Sequence, residues 1–331
     1  MLFTTTNPID RHTHLIGGLG HGAEPWPLPA IYNAAFAALG LNWHYVPLAV
    51  PEGHLSEALL GLRALGFAGA EVTESHCCDV DRHLEDLSPA AEATGMINFI
   101  QVDEHGRLVG DNTQWRSFLW ELHAMVPSLN GLKPLVIGAG PAARGIVYAL
   151  AREGLPVTIV NPDVDQAIDL VRRLRHALAE HSFSVHRWPH DLERVAADAN
   201  LIVNTAAVGT WPGASDSPWP DDLPFPSTAL AFDLAYRPGK TRFLRQARAG
   251  GARTVSGSQL LVCEAALAFE QWTEHLPPIE LMCQIARGTL LETAPGDAPC
   301  PREIFARPDL TSAASSTTIT SLLKRRGSSA R

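Results

Sequence analysis

The run PLVIGAGPAARGIVYALAREG, residues 134–154, constrains the fold more than any other stretch of the chain. An apolar segment, a glycine turn and a helical pattern follow one another without a break, and Gly138, Gly140 and Ala143 fall in the G-x-G-x-x-G/A spacing. The first glycine permits a tight turn, the second lets an anion approach the backbone, and a small third residue lets the helix close on the strand. The N–H groups at the helix start would then face that anion. In this strand–turn–helix setting the pattern predicts a dinucleotide-binding site, with Gly138, Gly140, Ala142 and Ala143 beside the pyrophosphate. A glycine turn of purely structural use is the alternative.

Beyond the turn, PVTIV reads as a second strand and a long helix starts at about Asp163. LIVNTA and ALAFDLA have the Val/Ile/Leu content of buried parallel strands. The Pro-rich WPGASDSPWPDDLPFP between them is expected to be a surface loop. The second strand ends in VNPDVDQ, where the two nicotinamide cofactors should be told apart. A 2′-phosphate needs a cation, whereas a ribose diol suits a carboxylate. Asn161 is followed by Pro162, Asp163 and Asp165, which favours NAD over NADP. Asp163 also suits the cap of the next helix.

In the first half HLIGGL, HYVPLAV and FAGAEV read as strands, each followed by a helical pattern: PAIYNAAFAALG, LSEALLGLRALG and a polar stretch through DRHLEDL. GMINFI adds another strand. Residues 115–126 set Trp115, Phe118, Leu119, Leu122 and Val126 on one helical face, which reads as a link between the halves. At 331 residues the chain is long for one core. The expected fold class is α/β with two domains: an N-terminal α/β substrate domain and a Rossmann-type doubly wound dinucleotide-binding domain. Their bounds are 1–114, completed by about 256–290, and 115–255. Residues 307–331, Ser/Thr-rich and poor in apolar side chains, are expected to be disordered.

A net charge of −9 argues against nucleic acid or an anionic membrane as partner. The start MLFTTTNPID lacks the basic and apolar regions of a signal peptide, and no apolar run is long enough to span a bilayer. Cys77 and Cys78 are adjacent and no CxxC occurs, so the cysteines read as reduced and the chain as cytoplasmic.

Several separated blocks together resemble the shikimate/quinate dehydrogenase family over roughly residues 12–275. AAFAALGLNWHYVPL is similar to its first helix and second strand, GFAGAEVT to its GxxGxNVT, SPAAEATGMIN to its SxxAxxxGAVN and GDNT to its GxNTD. VIGAGPAARGIVYAL resembles its nucleotide turn, NTAAVGT its NATxxGM, and FDLAYRPGKTRFL its D-x-x-Y-x-P-x-x-T-x-x-L. The resemblance implies a substrate cleft between the two domains, with Thr73, Asn98, Asn112, Gln114 and Tyr236 on the substrate side. It implies Asn204 and Gly209 near the nicotinamide, Gly257 on the cofactor side, and Asn161 and Asp163 toward the adenosine end.

The chain departs from the family pattern where the chemistry lies. The lysine of NVTxPxK corresponds to Cys77, the aspartate of NTD to Gln114, and the asparagine of NVT to Glu71. Two serines that grip the substrate carboxylate correspond to Trp26 and Leu28, and a late glutamine to Glu264. Two hydroxyl donors and a cation are lost, and two carboxylates are gained. An anionic substrate such as shikimate would therefore be disfavoured. The expected function is a nicotinamide-dependent oxidoreductase acting on a small cyclic or polar hydroxy/keto compound other than shikimate, with Glu71, Cys77, Tyr236 and Glu264 as the catalytic and proton-handling candidates. Two other readings stay open: a non-redox lyase, hydrolase or isomerase using Cys77 or a cleft glutamate, and a nucleotide-responsive binding protein. Cys77 itself reads either as a thiol shifted toward thiolate by its histidine neighbour or as a packed, passive one. His76, Cys77, Cys78 and His83 do not match common zinc spacing, so no metal is expected. The partners expected are a small-molecule substrate and, for the chain itself, a homodimer.

Overall fold

The computed structural model describes residues 9–21, 26–209, 213, 215–237 and 240–290; the tail expected to be disordered lies outside them. The strands are β1 His14–Gly20, β2 Trp43–Ala49, β3 Gly69–Val72, β4 Asp86–Leu87, β5 Phe99–Val102, β6 Leu108–Asp111, β7 Pro134–Ile137, β8 Val157–Asn161, β9 Phe183–Arg187, β10 Leu201–Asn204, β11 Leu230–Asp233 and β12 Arg253–Ser256. The helices are α1 Leu28–Ala38, α2 Leu55–Ala64, α3 Pro89–Thr94, α4 Gln114–Met125, α5 Pro141–Arg152, α6 Val164–Arg175, α7 Leu192–Ala196, α8 Arg242–Ala249, α9 Gly257–Thr273 and α10 Ile279–Thr289. They form an α/β fold in two compact units. One comprises the residues up to Thr113 with Val262–Thr289, the other Gln114–Leu261.

The first unit has a mixed six-stranded sheet in the order β2-β1-β3-β5-β6-β4. Strands β1, β2 and β3 are parallel, and β5 is antiparallel to both β3 and β6. Side chains alternate across a strand, so Ala70 and Val72 of β3 face one layer and Glu71 the other. Ala70 and Val72 enter an apolar core with Leu19, Leu59, Phe67 and Ile100. The opposite layer is aromatic: Phe36 stacks on Phe269 and Trp43, and Phe99 on Trp272, whose Nε1 donates to the Ile100 carbonyl at 3.2 Å. Glu71 enters that layer.

The second unit is a parallel sheet in the order β12-β11-β10-β7-β8-β9. Read from its other edge, this is the doubly wound order, with the switch point between β7 and β10. The glycine turn follows β7, at that switch point.

Three local expectations differ from the structure. Residues 79–87 are not helical: Asp81–His83 make one 3-10 turn, and β4 then lies parallel to β6 as Glu85 N–H donates to the Leu108 carbonyl. An available sheet edge outcompetes a helix with few apolar residues. GMINFI begins as loop, because Gly95 ends α3 in the left-handed region and strand pairing starts at Phe99. The Pro-rich segment is not merely surface: Trp219 and Phe225 are buried, with ring centroids 4.4 Å apart, and pack with Phe243 of α8.

Candidate active site

Strand β3 places the acid. Its four residues GAEV are all buried, and Glu71 is 8% exposed. A buried carboxylate needs partners. Two phenols supply them: Tyr32 of α1 donates to Oε1 at 2.7 Å and Tyr45 of β2 to Oε2 at 2.9 Å. The two rings stack at 4.8 Å and 8°, which fixes both hydroxyls against the same carboxylate. Burial raises Glu71 from 4.5 to about 7, against the opposing pull of the Tyr32 and Tyr45 hydrogen bonds. Burial, and then the Glu71 charge, push both phenols well above their usual range. Glu264, half-buried on α9, adds to the field on Tyr32. Trp26 meets the edge of Tyr45 at 6.0 Å, and Leu28 is buried at the start of α1.

The chain after β3 turns at Thr73, whose N–H donates to the Leu19 carbonyl and whose hydroxyl lies 2.9 Å from Ser75 Oγ. Val72 N–H donates to the Asn98 carbonyl, which ties this end of β3 to the 95–98 loop. Asn98 and Thr113 are bound twice over, Asn98 Nδ2 donating to Thr113 Oγ1 at 2.9 Å and Thr113 N–H to Asn98 Oδ1 at 2.8 Å. Glu71, Thr73 and Asn98 are thus brought to one end of the sheet. Asn112, between Asp111 and Thr113 at the same end, is fully buried, and its Nδ2 reaches Thr94 Oγ1 at 3.3 Å and Met96 Sδ at 3.2 Å. Cys77 is fully buried in the Ala70–Val72 core, its Sγ 3.4 Å from the Glu74 carbonyl and 3.8 Å from Cys78 Sγ. His76 is buried with Nε2 3.0 Å from the Val50 carbonyl. Among the described residues no group of three His, Cys, Asp or Glu could hold a metal ion.

In the second unit Gly138 has φ +112, and a Cβ there would come within 2.7 Å of Thr205 Oγ1, so this position requires glycine. Gly140 is the N-cap of α5, with Pro141 in the first helical position. A Cβ built on Gly140 meets nothing within 4 Å, so there is open space beside the start of α5, where an anion would be received. Ala143 is buried at the helix–strand contact, with Ala142 half-buried beside it. These residues fit a dinucleotide. Asn204, fully buried, donates to Asp233 Oδ1 at 3.0 Å and accepts from Ala206 N–H at 3.1 Å, so its side chain holds the loop after β10. Asp233 also accepts from Thr241 Oγ1 and Ala235 N–H, and burial raises it to about 6 against those hydrogen bonds. Gly209 follows on the same loop with φ +84. Gly257 starts α9, where a Cβ would strike the Leu234 carbonyl at 2.1 Å. Tyr236 lies half-buried beyond β11, and Gln114 is buried as the first residue of α4. At the end of β8, Asp163 Oδ1 accepts from the N–H groups of Asp165 and Gln166 as the cap of α6, and Asn161 Nδ2 donates to the Asp163 carbonyl.

Residues 27–100 match the family model described as shikimate dehydrogenase substrate binding domain. Over 275 residues the chain is 34% identical to a shikimate dehydrogenase (NADP(+)) of Carboxydothermus hydrogenoformans, an alignment covering 83% of this chain and 96% of the relative. The chain belongs to the shikimate dehydrogenase family. These relatives are NAD(P)-dependent oxidoreductases. A solved shikimate 5-dehydrogenase from Thermus thermophilus, in complex with NADP(H) and shikimate, shares 34% identity at a TM-score of 0.73, covering 84% of this chain and all of that one. A 5-ketofructose reductase from a Gluconobacter species, ligand-free, shares 25% at 0.74, covering 84% and 99%.

The substrate half is poor in free cations. The lysines of the chain are Lys133, Lys240 and Lys324, so residues 1–132 contain no lysine. Arg63, Arg82 and Arg107 are paired with Glu85, Asp79 and Asp103. Tyr32, Tyr45 and Asp233 were not anticipated from the sequence. A signal for the tyrosines was present: a glutamate inside an otherwise apolar strand must find donors, and phenols in the apolar pattern of neighbouring elements are the natural supply.

Proposed function

We propose that the chain is a nicotinamide-dependent oxidoreductase acting on a small, polar, uncharged hydroxy or keto compound rather than on shikimate. The observation that carries this reading is the chemistry at the two carboxylate-gripping positions. Trp26 packs against Tyr45 and Leu28 is buried, so neither brings the hydroxyl donor an acid needs. The buried Glu71 nearby opposes an anion further. The likeness to a 5-ketofructose reductase supports the reading, because 5-ketofructose is an uncharged polyhydroxy ketone.

The bound nicotinamide would supply or accept hydride; the accompanying proton falls to the chain's own residues. Gly138, Gly140, Ala142 and Ala143 would hold the pyrophosphate, with Asn204, Gly209 and Gly257 shaping the loops toward the nicotinamide. Thr73, Asn98 and Gln114 would meet substrate, and Asn112 would support them from the core. Glu71, titrating near neutrality, suits proton exchange best. Glu264 and Tyr236 are further substrate-side groups. Cys77 is assigned to packing, because its thiol lies in an apolar core. Among the described residues no helix is long and apolar enough to cross a membrane. A cytoplasmic location, a net negative surface without nucleic-acid partners and a homodimer belong to the same reading.

The test is a panel of uncharged polyols and ketoses, with shikimate and dehydroshikimate alongside, assayed by reduced-nicotinamide absorbance with both cofactors. Turnover within the uncharged set is expected. Brisk reduction of dehydroshikimate would overturn the proposal.

A further inference from the structure

We propose that Cys77 and Cys78 are a modification site: a hydroperoxide converts the two thiols to a vicinal disulfide, and the closed bridge loosens the substrate side of the first unit. The consequence for substrate rests on the proposed function, whereas the bridge itself does not. Both residues sit in the turn that follows β3. Cys77 N–H donates to the Thr73 carbonyl at 3.0 Å and Val80 N–H to the His76 carbonyl at 3.1 Å, so bonds of helical spacing coil residues 73–80 tightly. Within that coil the two Sγ atoms lie 3.8 Å apart. A disulfide closes at about 2 Å, so an approach of about 2 Å separates the pair from a bridge. Burial divides the roles. Cys78 is half-buried, so a peroxide in solution reaches its sulfur. Cys77 is fully buried, and its Sγ donates to the Glu74 carbonyl at 3.4 Å.

The Cys78 thiolate attacks the O–O bond of hydrogen peroxide. Its sulfur gains one oxygen as a sulfenic acid, and the other oxygen leaves as hydroxide and takes up a proton. The Cys77 sulfur then attacks the Cys78 sulfur, and the expelled hydroxide leaves as water with the Cys77 proton. Each thiol loses one hydrogen, and one peroxide is reduced to two waters. Neighbouring residues are an awkward frame for the product. Consecutive Cα atoms are about 3.8 Å apart, whereas most disulfides join Cα atoms about 4.4–6.8 Å apart. The closed ring therefore strains the peptide between Cys77 and Cys78, and strained disulfides are the readily reduced, regulatory kind. That peptide contains the Cys77 carbonyl, which accepts from Ile97 N–H at 2.8 Å. Asn98 comes next, its carbonyl accepting from Val72 N–H and its side chain bonded twice to Thr113. Cys77 is thus tied through its backbone to both segments that carry substrate-side groups, Thr73 through its N–H and Asn98 through its carbonyl. Turning the strained peptide costs the Ile97 bond and frees the loop before Asn98.

The test is oxidation of the full chain with hydrogen peroxide, followed by peptide mass mapping and amide hydrogen exchange. The peptide holding Cys77 and Cys78 should lose two hydrogen masses, resist alkylation, and regain both hydrogens with dithiothreitol. Exchange of the Ile97 amide should quicken about tenfold in the oxidised chain and return on reduction, as the loss of one hydrogen bond requires. In Cys77→Ala the sulfenic acid at Cys78 has no neighbour to close on and should be trapped by dimedone. In Cys78→Ala the buried Cys77 should stay unmodified. Oxidation of Cys78 to sulfinic acid alone, or a bridge to any other cysteine of the chain, would overturn the site. A vicinal bridge with unchanged Ile97 exchange would overturn its link to the substrate side. These readouts need no substrate, so a failure of the polyol and ketose panel is a separate result.

Discussion

Replacing Glu71 by glutamine keeps the volume and one acceptor oxygen for the tyrosines but removes the titrating proton. In the native chain Glu71 binds its proton more tightly when folded, at about 7 against an ordinary 4.5. Between those values the unfolded chain is already ionised while the folded one still holds the proton. Stability conferred by the protonated form is therefore complete below about pH 4.5, declines as pH rises, and is gone above about pH 7. The difference of the two values corresponds to about 3 kcal/mol. Glu71→Gln has no such term. The stability of the native chain relative to the variant should thus fall by about 3 kcal/mol between pH 4.5 and pH 8. Asp233, raised to about 6, contributes in the same direction but equally in both proteins, and drops out of the comparison. The measurement is urea unfolding at a series of pH values, following protected amides of β1 and β3 so that the first unit alone is read. Parallel stability profiles for the two proteins would refute the reasoning. So would a native chain that gains on the variant as pH rises, since that would mean the tyrosines hold Glu71 in its charged form below 4.5.

Gly140→Asp should abolish calorimetric binding of both nicotinamide dinucleotides, because a carboxylate would enter the open space before α5 where an anion is expected. Cys77→Ala should cost about 1–2 kcal/mol in unfolding experiments, from the lost packing of a buried thiol, and leave turnover within about twofold; abolished turnover in a folded variant would restore a catalytic thiol. Trp219→Ala should lower unfolding free energy by about 3–5 kcal/mol, because the ring fills a core with Phe225 and Phe243; a loss under about 1 kcal/mol would mean the segment is dispensable surface.

How far the sequence could be read depended on whether a feature was local. The glycine turn, α5 and the buried strands β7, β8, β10 and β11 are continuous apolar or small-residue patterns, and each was legible by itself. Strands β9 and β12 were not anticipated. They are the two edges of their sheet, half-exposed and mixed in composition, so no run of apolar residues announces them. The doubly wound order follows from the connections between strands, and the family likeness carried it where periodicity could not. At the site the same division holds. Glu71 was visible as a departure from pattern, but its consequence depends on Tyr32 and Tyr45, 39 and 26 residues away along the chain. Separation of that kind is invisible to spacing.

The same contacts bear on how the first unit accommodates a buried acid and a buried thiol close to one another. A buried acid with no cation beside it leaves unopposed negative charge unless hydrogen-bond donors meet it. Glu71 lies on the aromatic layer of β3, while Cys77 faces the apolar layer with Ala70 and Val72. The two side chains thus fall on opposite faces of the sheet at β3. A thiol can be absorbed into an apolar core with no partner charge, and a glutamate facing the hydroxyls of two stacked phenols receives a donor on each oxygen. Each side chain is accommodated by its own surroundings, so neither requires the other. Cys77→Ala and Glu71→Gln should accordingly be additive in unfolding free energy to within about 0.5 kcal/mol. A larger coupling would show that the two layers of the sheet respond together, and that the acid and the thiol form one site after all.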